Sequence, residues 1–314
     1  MSERLSGRWG GVALAALAGV AASVQARING GLAGRLHDGF AAALVSNGTA
    51  LILLSVAVAF APAARAGLRR VWSGLRGGSL KPWECLGGAG GALYVASQGL
   101  AAGPLGVAVF TVAVVTGQSG GGLAVDRAGL APGGRRPVTG TRILGAVLTV
   151  AAVLLAVSGR AGLDTGSLLV ILPLLAGIGL AVQGAINGRV RQAANANLPA
   201  VVVNSIVGTS ALLAAFAVSV AVRGWPSGSP PAEPWLYLGG PLGICVLVLS
   251  VSAVRHLGAL LLSLGMIAGQ LAGAIALDVL APGPAGRPTL TTFLGTALAL
   301  IAVAIAVRAR GSRA

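Results

Sequence analysis

The chain alternates long apolar runs with short polar or basic stretches. An α-helix rises about 1.5 Å per residue, so about 20 apolar residues cross the hydrocarbon core of a membrane. The pattern predicts ten such helices, near residues 10–33, 40–61, 83–101, 105–125, 142–159, 167–188, 199–222, 235–254, 257–277 and 291–308. We therefore expect an all-α integral membrane protein.

Composition supports this class. The 314 residues are 55% hydrophobic and only 9% charged, with a mean hydropathy of +0.88. A soluble domain carries about 25% charged residues, so this chain has too few to cover a water-facing surface. The net charge of +15 would suggest nucleic acid in a soluble protein. Here the charges lie between apolar runs, and we expect the lipid bilayer as partner and no nucleic acid.

The two halves of the chain repeat each other. The stretch "GVAASVQARING" at 19–30 matches "GIGLAVQGAING" at 177–188 in six of twelve positions. "PWECLGGAGG" (82–91) likewise matches "PWLYLGGPLG" (234–243). The sequence thus predicts two five-helix repeats, residues 1–160 and 161–314. Because five is odd, the second repeat crosses the membrane inverted. The mid-chain copy also favours a first membrane helix over a cleaved secretory signal at the N-terminus.

Basic residues predict the orientation. With ten helices both termini share one side, and 17 of the 22 basic residues fall on that side. The other side holds Arg27, Arg35, Arg160, Arg223 and Arg287. Because cytoplasmic loops collect Lys and Arg, we expect a multi-pass protein of the inner (plasma) membrane with both termini in the cytoplasm.

A polar pair recurs inside the apolar pattern. Gln25 and Asn29 are one helical turn apart and share a face, as do Gln183 and Asn187. Transporters built from inverted repeats bind substrate near the midplane, where the repeats meet. The four amides are therefore candidates for a substrate path, although interhelical hydrogen bonding explains them equally well.

A second set of polar residues also recurs. Gln118 and Gln270 occupy equivalent positions and extend the list of substrate-path candidates. Asp126 and Asp278 follow them by eight residues, about two turns, and share their face. Both aspartates fall at helix ends, which fits either an interface anchor or helix-end partner, or a site for a coupling ion.

Motifs for enzymatic chemistry are absent from the sequence. It contains neither HExxH nor a Walker A motif, and Cys85, Cys245 and both histidines are isolated, so we expect no catalytic residues, no metal and no cofactor. Small residues recur every fourth position, as at Gly265, Gly269 and Gly273. Such ridges support close helix contact, either within the chain or between two copies as a homodimer.

The repeated motifs resemble the YdcZ-type branch of the drug/metabolite transporter (DMT) superfamily. "VQARIN", "GQSGGGLAVD" and "GQLAGAIALD" carry the resemblance, which covers residues 10–308. One departure is that Gly48-Thr49 lies two residues early relative to the second half. The resemblance implies a DMT/EamA-like fold, with ten transmembrane helices as two inverted five-helix repeats in the inner membrane, and transport of small molecules.

Two functions are consistent with these patterns. The first is a secondary transporter that moves a small polar or amphipathic metabolite or drug-like solute across the cytoplasmic membrane by alternating access. The alternative is a non-transporting membrane scaffold or accessory subunit. A cavity that reaches the midplane would favour the transporter, whereas polar pairs that meet in a closed, dry bundle would favour the scaffold.

Overall fold

The computed structural model describes residues 2–132, 134, 135, 137, 139–158 and 168–311, and this part of the chain is helical without a β-sheet. We label its ten principal helices in chain order. They are α1 (Ser2–Leu36), α2 (Gly39–Ala59), α3 (Pro62–Arg76), α4 (Gly88–Ser97), α5 (Val107–Ala128), α6 (Gly140–Ser158), α7 (Ile171–Ala194), α8 (Asn197–Arg223), α9 (Gly239–Leu280) and α10 (Leu290–Gly311). The 3-10 turns Pro82–Cys85 and Pro234–Tyr237 precede α4 and α9.

Within the described residues, seven helical stretches are long and apolar enough to cross a membrane. They lie in α1, α2, α5, α6, α7, α8 and the second part of α9. Gly239–Ala253 and Leu290–Ile305 are shorter apolar helices. The predicted span 83–101 is divided between a 3-10 turn, α4 and a turn of π-helix at Gln98–Ala102, so no single long helix covers it. The predicted all-helical membrane class is confirmed at this level.

One continuous helix, α9, covers both the predicted eighth span and the predicted ninth span. α9 is helical from Gly239 to Leu280, without the break expected near residue 255. Yet the Ser250 hydroxyl contacts the Met266 sulfur at 3.3 Å. In a straight helix, 16 residues would separate these two by about 24 Å. The axis of α9 therefore turns back on itself between them and forms two antiparallel arms.

The equivalent turn in the first half has a different construction. α4 runs into the π-helical turn, followed by the short helical segment Gly103–Leu105. Gly106 then has φ +75°, a conformation that L side chains rarely adopt, and α5 begins at the next residue. The sequence "AAGPLG" at 101–106 predicted a tight turn here, and the structure confirms it.

One helix was not predicted from the sequence, which leaves residues 62–82 between the second and third predicted spans. α3 occupies this segment, begins with Pro62 at its first turn and ends before Gly77. Its Ala64, Gly67 and Val71 are buried against the protein and its arginines lie on other faces. Such an amphipathic helix is too short and too charged to be found by a search for spans.

The first helix of each half packs against the other half. α1 lies beside both arms of α9, and α7 lies beside α4 and α5. The closest approaches involve glycine: a Cβ at Gly19 would collide with the Met266 carbonyl oxygen, and one at Gly177 with the Val114 carbonyl oxygen. Small residues thus let backbones meet across the halves, as the recurring glycines predicted.

The remaining helices pair in a corresponding way. α2 packs on α8, and α6 packs on α10. The first pair runs antiparallel, because Asn47 contacts Thr209 and Asp38 contacts Ser219. The predicted boundary between the repeats, at residues 160 and 161, lies outside the described residues.

Candidate functional site

A cavity of about 240 Å³ lies between α1, α2, α7, α8 and the first arm of α9. It has room for several water molecules. Polar side chains from both halves of the chain line it, together with a few apolar ones. The polar members are Gln25, Ser46, Asn47, Gln183, Asn187, Asn204 and Ser205. Three of the four amides that the sequence singled out therefore meet at one cavity.

The two glutamines are held beside equivalent glycines. Gln25 donates from its amide nitrogen to the Gly239 carbonyl at 2.9 Å, and the same nitrogen lies against Gly243. Gln183 lies against Gly90 and Gly91 of α4, as close as 3.0 Å from a Cβ built at Gly91. The amide oxygen of Gln183 is buried and has no partner among the described residues. Buried polar atoms normally have a hydrogen-bond partner, so this oxygen beside the cavity is an exception.

The cavity contains four polar residues that the sequence analysis did not assign to a path. Asn204 accepts a hydrogen bond from Asn187 at 2.9 Å, and Asn47 donates to Thr209 at 3.3 Å. Ser46 and Ser205 complete the set. A signal existed: at the offset of 158 that relates Gln25 to Gln183, "SN" at 46–47 meets "NS" at 204–205. The alignment of Gly48-Thr49 with Gly208-Thr209 uses an offset of 160, and it hides this match.

Asn29 does not line the cavity. Its side chain is fully buried and donates to the Gln98 amide oxygen at 2.7 Å. Gln98 begins the π-helical turn, a feature that often marks functional positions. The Asn29 oxygen has no hydrogen-bond partner among the described residues. Tyr94, one turn earlier, interacts with both Gln98 and Gln270.

Gln118 and Gln270 line a second cavity, of about 330 Å³, between α5, α6, α7, α10 and the second arm of α9. Ser119, Ser263 and Arg142 add polar groups to a largely apolar wall. Tyr94 lies near Gln270 and Gln98, and Gln98 accepts a hydrogen bond from Asn29, so polar side chains extend from this cavity toward α1. Of the six candidate amides, three line the first cavity and two line the second. The sixth, Asn29, is buried and donates a hydrogen bond to Gln98.

The two equivalent aspartates have different partners. Asp126 is buried and accepts a hydrogen bond from Arg142, which is itself buried. Asp278 accepts from the backbone N–H groups of Val107 at 3.1 Å and Ala108 at 2.8 Å, the first residues of α5. It thereby satisfies two donors that a helix N-terminus leaves free, and its charge is favoured there. Asp278 is a helix-end partner across the two halves.

Arginines fasten the halves together at both ends of the molecule. Arg189 donates to Glu84 at 2.7 Å and to the carbonyls of Leu130 and Gly129 at the end of α5. Arg27 donates to the Ala281 carbonyl at the end of α9 and lies 4.0 Å from Asp278. A cation at a helix C-terminus complements the helix dipole. The sequence placed Arg27 on the non-cytoplasmic side but did not predict this contact.

Comparison with known proteins gives the family. The model of the DMT_YdcZ family, described as "Putative inner membrane exporter, YdcZ", matches residues 11–155 and 168–305. No curated protein matches the sequence significantly. The two matched regions contain every candidate site residue of both cavities. The chain therefore belongs to the DMT_YdcZ family and is a multi-pass transporter-family protein of the inner membrane.

Proposed function

We propose that the protein is a secondary transporter that exports a small polar solute by alternating access, with the 240 Å³ cavity as its binding site. One observation carries the proposal: amide and hydroxyl side chains from both halves line a single cavity between five helices. Inverted-repeat transporters bind substrate where the repeats meet, near the midplane. Rocking of one half against the other then opens the site to each side in turn.

Three observations support the inverted repeat. The family model matches two separate regions of similar length. Glycine contacts recur at equivalent positions, Gly19 with Met266 and Gly177 with Val114. Seven long spans, two shorter apolar helices and the α4 segment are the ten segments that we propose as crossings. Ten crossings leave both termini on the side with 17 basic residues, the cytoplasmic side.

The cavity favours a transporter over a scaffold. In a scaffold the duplicated amides would pair with each other and leave no space. Here Gln25 and Gln183 bond to or lie against the glycines of the opposite half, and open volume lies beside them. The Gln183 oxygen is buried without a partner, which is costly, and a movement of the halves that exposed it to a solute would relieve this cost.

The lining indicates the chemistry of the solute. Among the described residues it contains amides, hydroxyls and small aliphatic groups, and no charged side chain. Amides both donate and accept hydrogen bonds, so they suit a neutral solute with hydroxyl or amide groups. The volume lies below the roughly 300–1,000 Å³ of pockets for drug-sized ligands, which favours a small metabolite.

The six amides are assigned different parts in this proposal. Gln25, Gln183 and Asn187 contact the solute, and Asn29 supports the site through Gln98. Gln118 and Gln270 line the approach from the cytoplasmic side. The roles of Asp126 and Asp278 in ion coupling remain a prediction, since both have partners that also fit a structural role.

An export comparison tests the proposal and identifies the solute in the same experiment. Cells that express the wild-type chain, Gln183→Ala or Gly184→Ala are compared by untargeted analysis of the medium. Gly184 adjoins Gln183 in α7, and a Cβ there meets nothing within 4 Å, so Gly184→Ala serves as the matched control. We expect a solute that wild type and control export and Gln183→Ala does not. Equal export by all three would contradict the binding site.

A further inference from the structure

The surface helix α3 presents a row of basic and aromatic side chains on one face. Arg65, Arg69, Trp72 and Arg76 are spaced by four, three and four residues, which places them along one stripe. All four are exposed, whereas Ala64, Gly67 and Val71 face the protein. The Arg76 guanidinium lies 4.9 Å from the centre of the Trp72 ring. We call these four residues the α3 stripe.

The charge of the stripe is not balanced by acidic neighbours. The segment from Pro62 to Trp83 contains five basic residues and no Asp or Glu. Among the described residues, no carboxylate forms an ion pair with Arg65, Arg69 or Arg76. The nearest acid in sequence, Glu84, is buried and held by Arg189. Like charges one turn apart destabilise a helix, so this arrangement favours an external anion.

The position of α3 places the stripe at the level of the bilayer surface. α3 joins the end of α2, which is long and apolar enough to cross a membrane, to the 3-10 turn before α4. It also packs across the end of α7 and the start of α8: Arg70 donates to the Ala194 carbonyl at 2.9 Å, and Gly67 lies against Pro199. Helix ends mark the boundary of the apolar layer, where lipid headgroups lie.

We propose that the α3 stripe binds the headgroups of anionic phospholipids of the cytoplasmic leaflet. Arginine pairs with phosphate through several N–H groups at once. Tryptophan prefers the interface between headgroups and acyl chains, and an amphipathic helix with both residues is suited to lie there. Because α3 is attached to α7 and α8, the lipids would also steady the helices that carry Asn187 and Asn204.

Lipid titration of the purified full-length protein tests the proposal. The midpoint of thermal unfolding in detergent is followed as phosphatidylglycerol or phosphatidylcholine is added, at low and high salt. The test variant is Arg65→Gln/Arg69→Gln/Arg76→Gln. The matched control is Arg127→Gln/Arg135→Gln/Arg191→Gln, which removes three other exposed arginines of the same proposed side.

We expect phosphatidylglycerol, and not phosphatidylcholine, to stabilise the wild type, with weaker stabilisation at high salt. Because each cation near an anionic surface adds to the attraction, the test variant should bind phosphatidylglycerol at least about tenfold more weakly. The control should change less than about threefold. Equal losses in both variants, or equal stabilisation by inorganic phosphate or an acidic soluble peptide, would overturn the proposal.

Fluorescence quenching keeps the proposal testable if the triple variant does not fold. Brominated phosphatidylglycerol and brominated phosphatidylcholine are incorporated in turn around the wild type and around Trp72→Phe. The difference between the two proteins isolates the emission of Trp72. We expect stronger quenching of that emission by the anionic lipid, and equal quenching by the two lipids would contradict a headgroup site.

Discussion

The two amide pairs have the same residues at the same spacing in the sequence, but their surroundings in the structure differ. Gln25 and Gln183 both lie against glycines of the opposite half and both line the central cavity. Asn187 lines that cavity with Asn204, whereas Asn29 is buried outside it against Gln98. The repeat therefore specifies which face of the helix is polar. Gln98, whose equivalent in the second half is Ser250, gives Asn29 a partner that Asn187 lacks.

The aspartates teach the same lesson. Asp126 pairs with Arg142, but the equivalent of Arg142 in the second half is Thr292, which donates to the Ala156 carbonyl instead. Asp278 binds the N-terminus of α5 and lies near Arg27. Equivalent positions thus make two kinds of contact, and substitutions at the two aspartates should lower the stability by different amounts.

The largest expected effect is on the Asp126–Arg142 pair. Asp126→Ala leaves the Arg142 charge buried and unpaired, which should lower the free energy of unfolding by about 3–5 kcal/mol. Denaturant titration in detergent measures it. Asp126→Leu/Arg142→Met should recover most of the loss, since neither charge then remains. A single variant as stable as the wild type would show that the pair is exposed to water.

The glycine contacts between the halves should have the next largest effect. Gly19→Ala and Gly177→Ala each push a Cβ into a backbone carbonyl, and each should cost about 1–3 kcal/mol of unfolding free energy. Gly184→Ala, which meets nothing within 4 Å, should cost nothing. If only one of the two contact variants were destabilised, the two halves would not pack equivalently.

The two asparagines should separate binding from stability. Asn187→Ala removes a side chain that lines the cavity and should raise the solute concentration for half-maximal transport about tenfold, as expected for one lost hydrogen bond. Asn29→Ala leaves Gln98 unpaired and should cost about 1–3 kcal/mol of stability with that concentration unchanged. Transport kinetics and unfolding, measured on both variants, check this. A change in the half-maximal concentration for Asn29→Ala, with only a loss of stability for Asn187→Ala, would contradict these assignments.

The smallest expected effect concerns Asp278. Asn still accepts a hydrogen bond at a helix N-terminus but carries no charge, so Asp278→Asn should cost about 1 kcal/mol. Thermal unfolding beside Asp126→Asn ranks the two sites, with Asp126→Asn more harmful because Arg142 is buried. Loss of transport in Asp278→Asn, with stability intact, would instead support a role in ion coupling.

The membrane class and the family followed from the sequence, because apolar periodicity and a repeated motif are local properties. The meeting of Gln25 with Gln183 was predicted from the inverted repeat, because substrate sites lie where two such repeats meet. α3 was missed because its apolar face is only a few small residues wide. The burial of Asn29 against Gln98, away from the cavity, depends on a π-helical turn and on a contact between distant helices. Neither is visible in the spacing of residues.

The most direct test of the central claim is whether the amide cavity opens to both sides of the membrane. Ser205 lines the cavity and differs from cysteine by one atom, so Ser205→Cys is introduced after Cys85 and Cys245 are replaced by alanine. A membrane-impermeant thiol reagent is then applied to right-side-out and inside-out vesicles. Ser97→Cys, at a fully buried position, serves as the control and should react from neither side.

Alternating access predicts that the cysteine at position 205 reacts from both sides of the membrane, and that a transported solute protects it. Reaction from one side only, or from neither side, would contradict a cavity that the two halves open in turn.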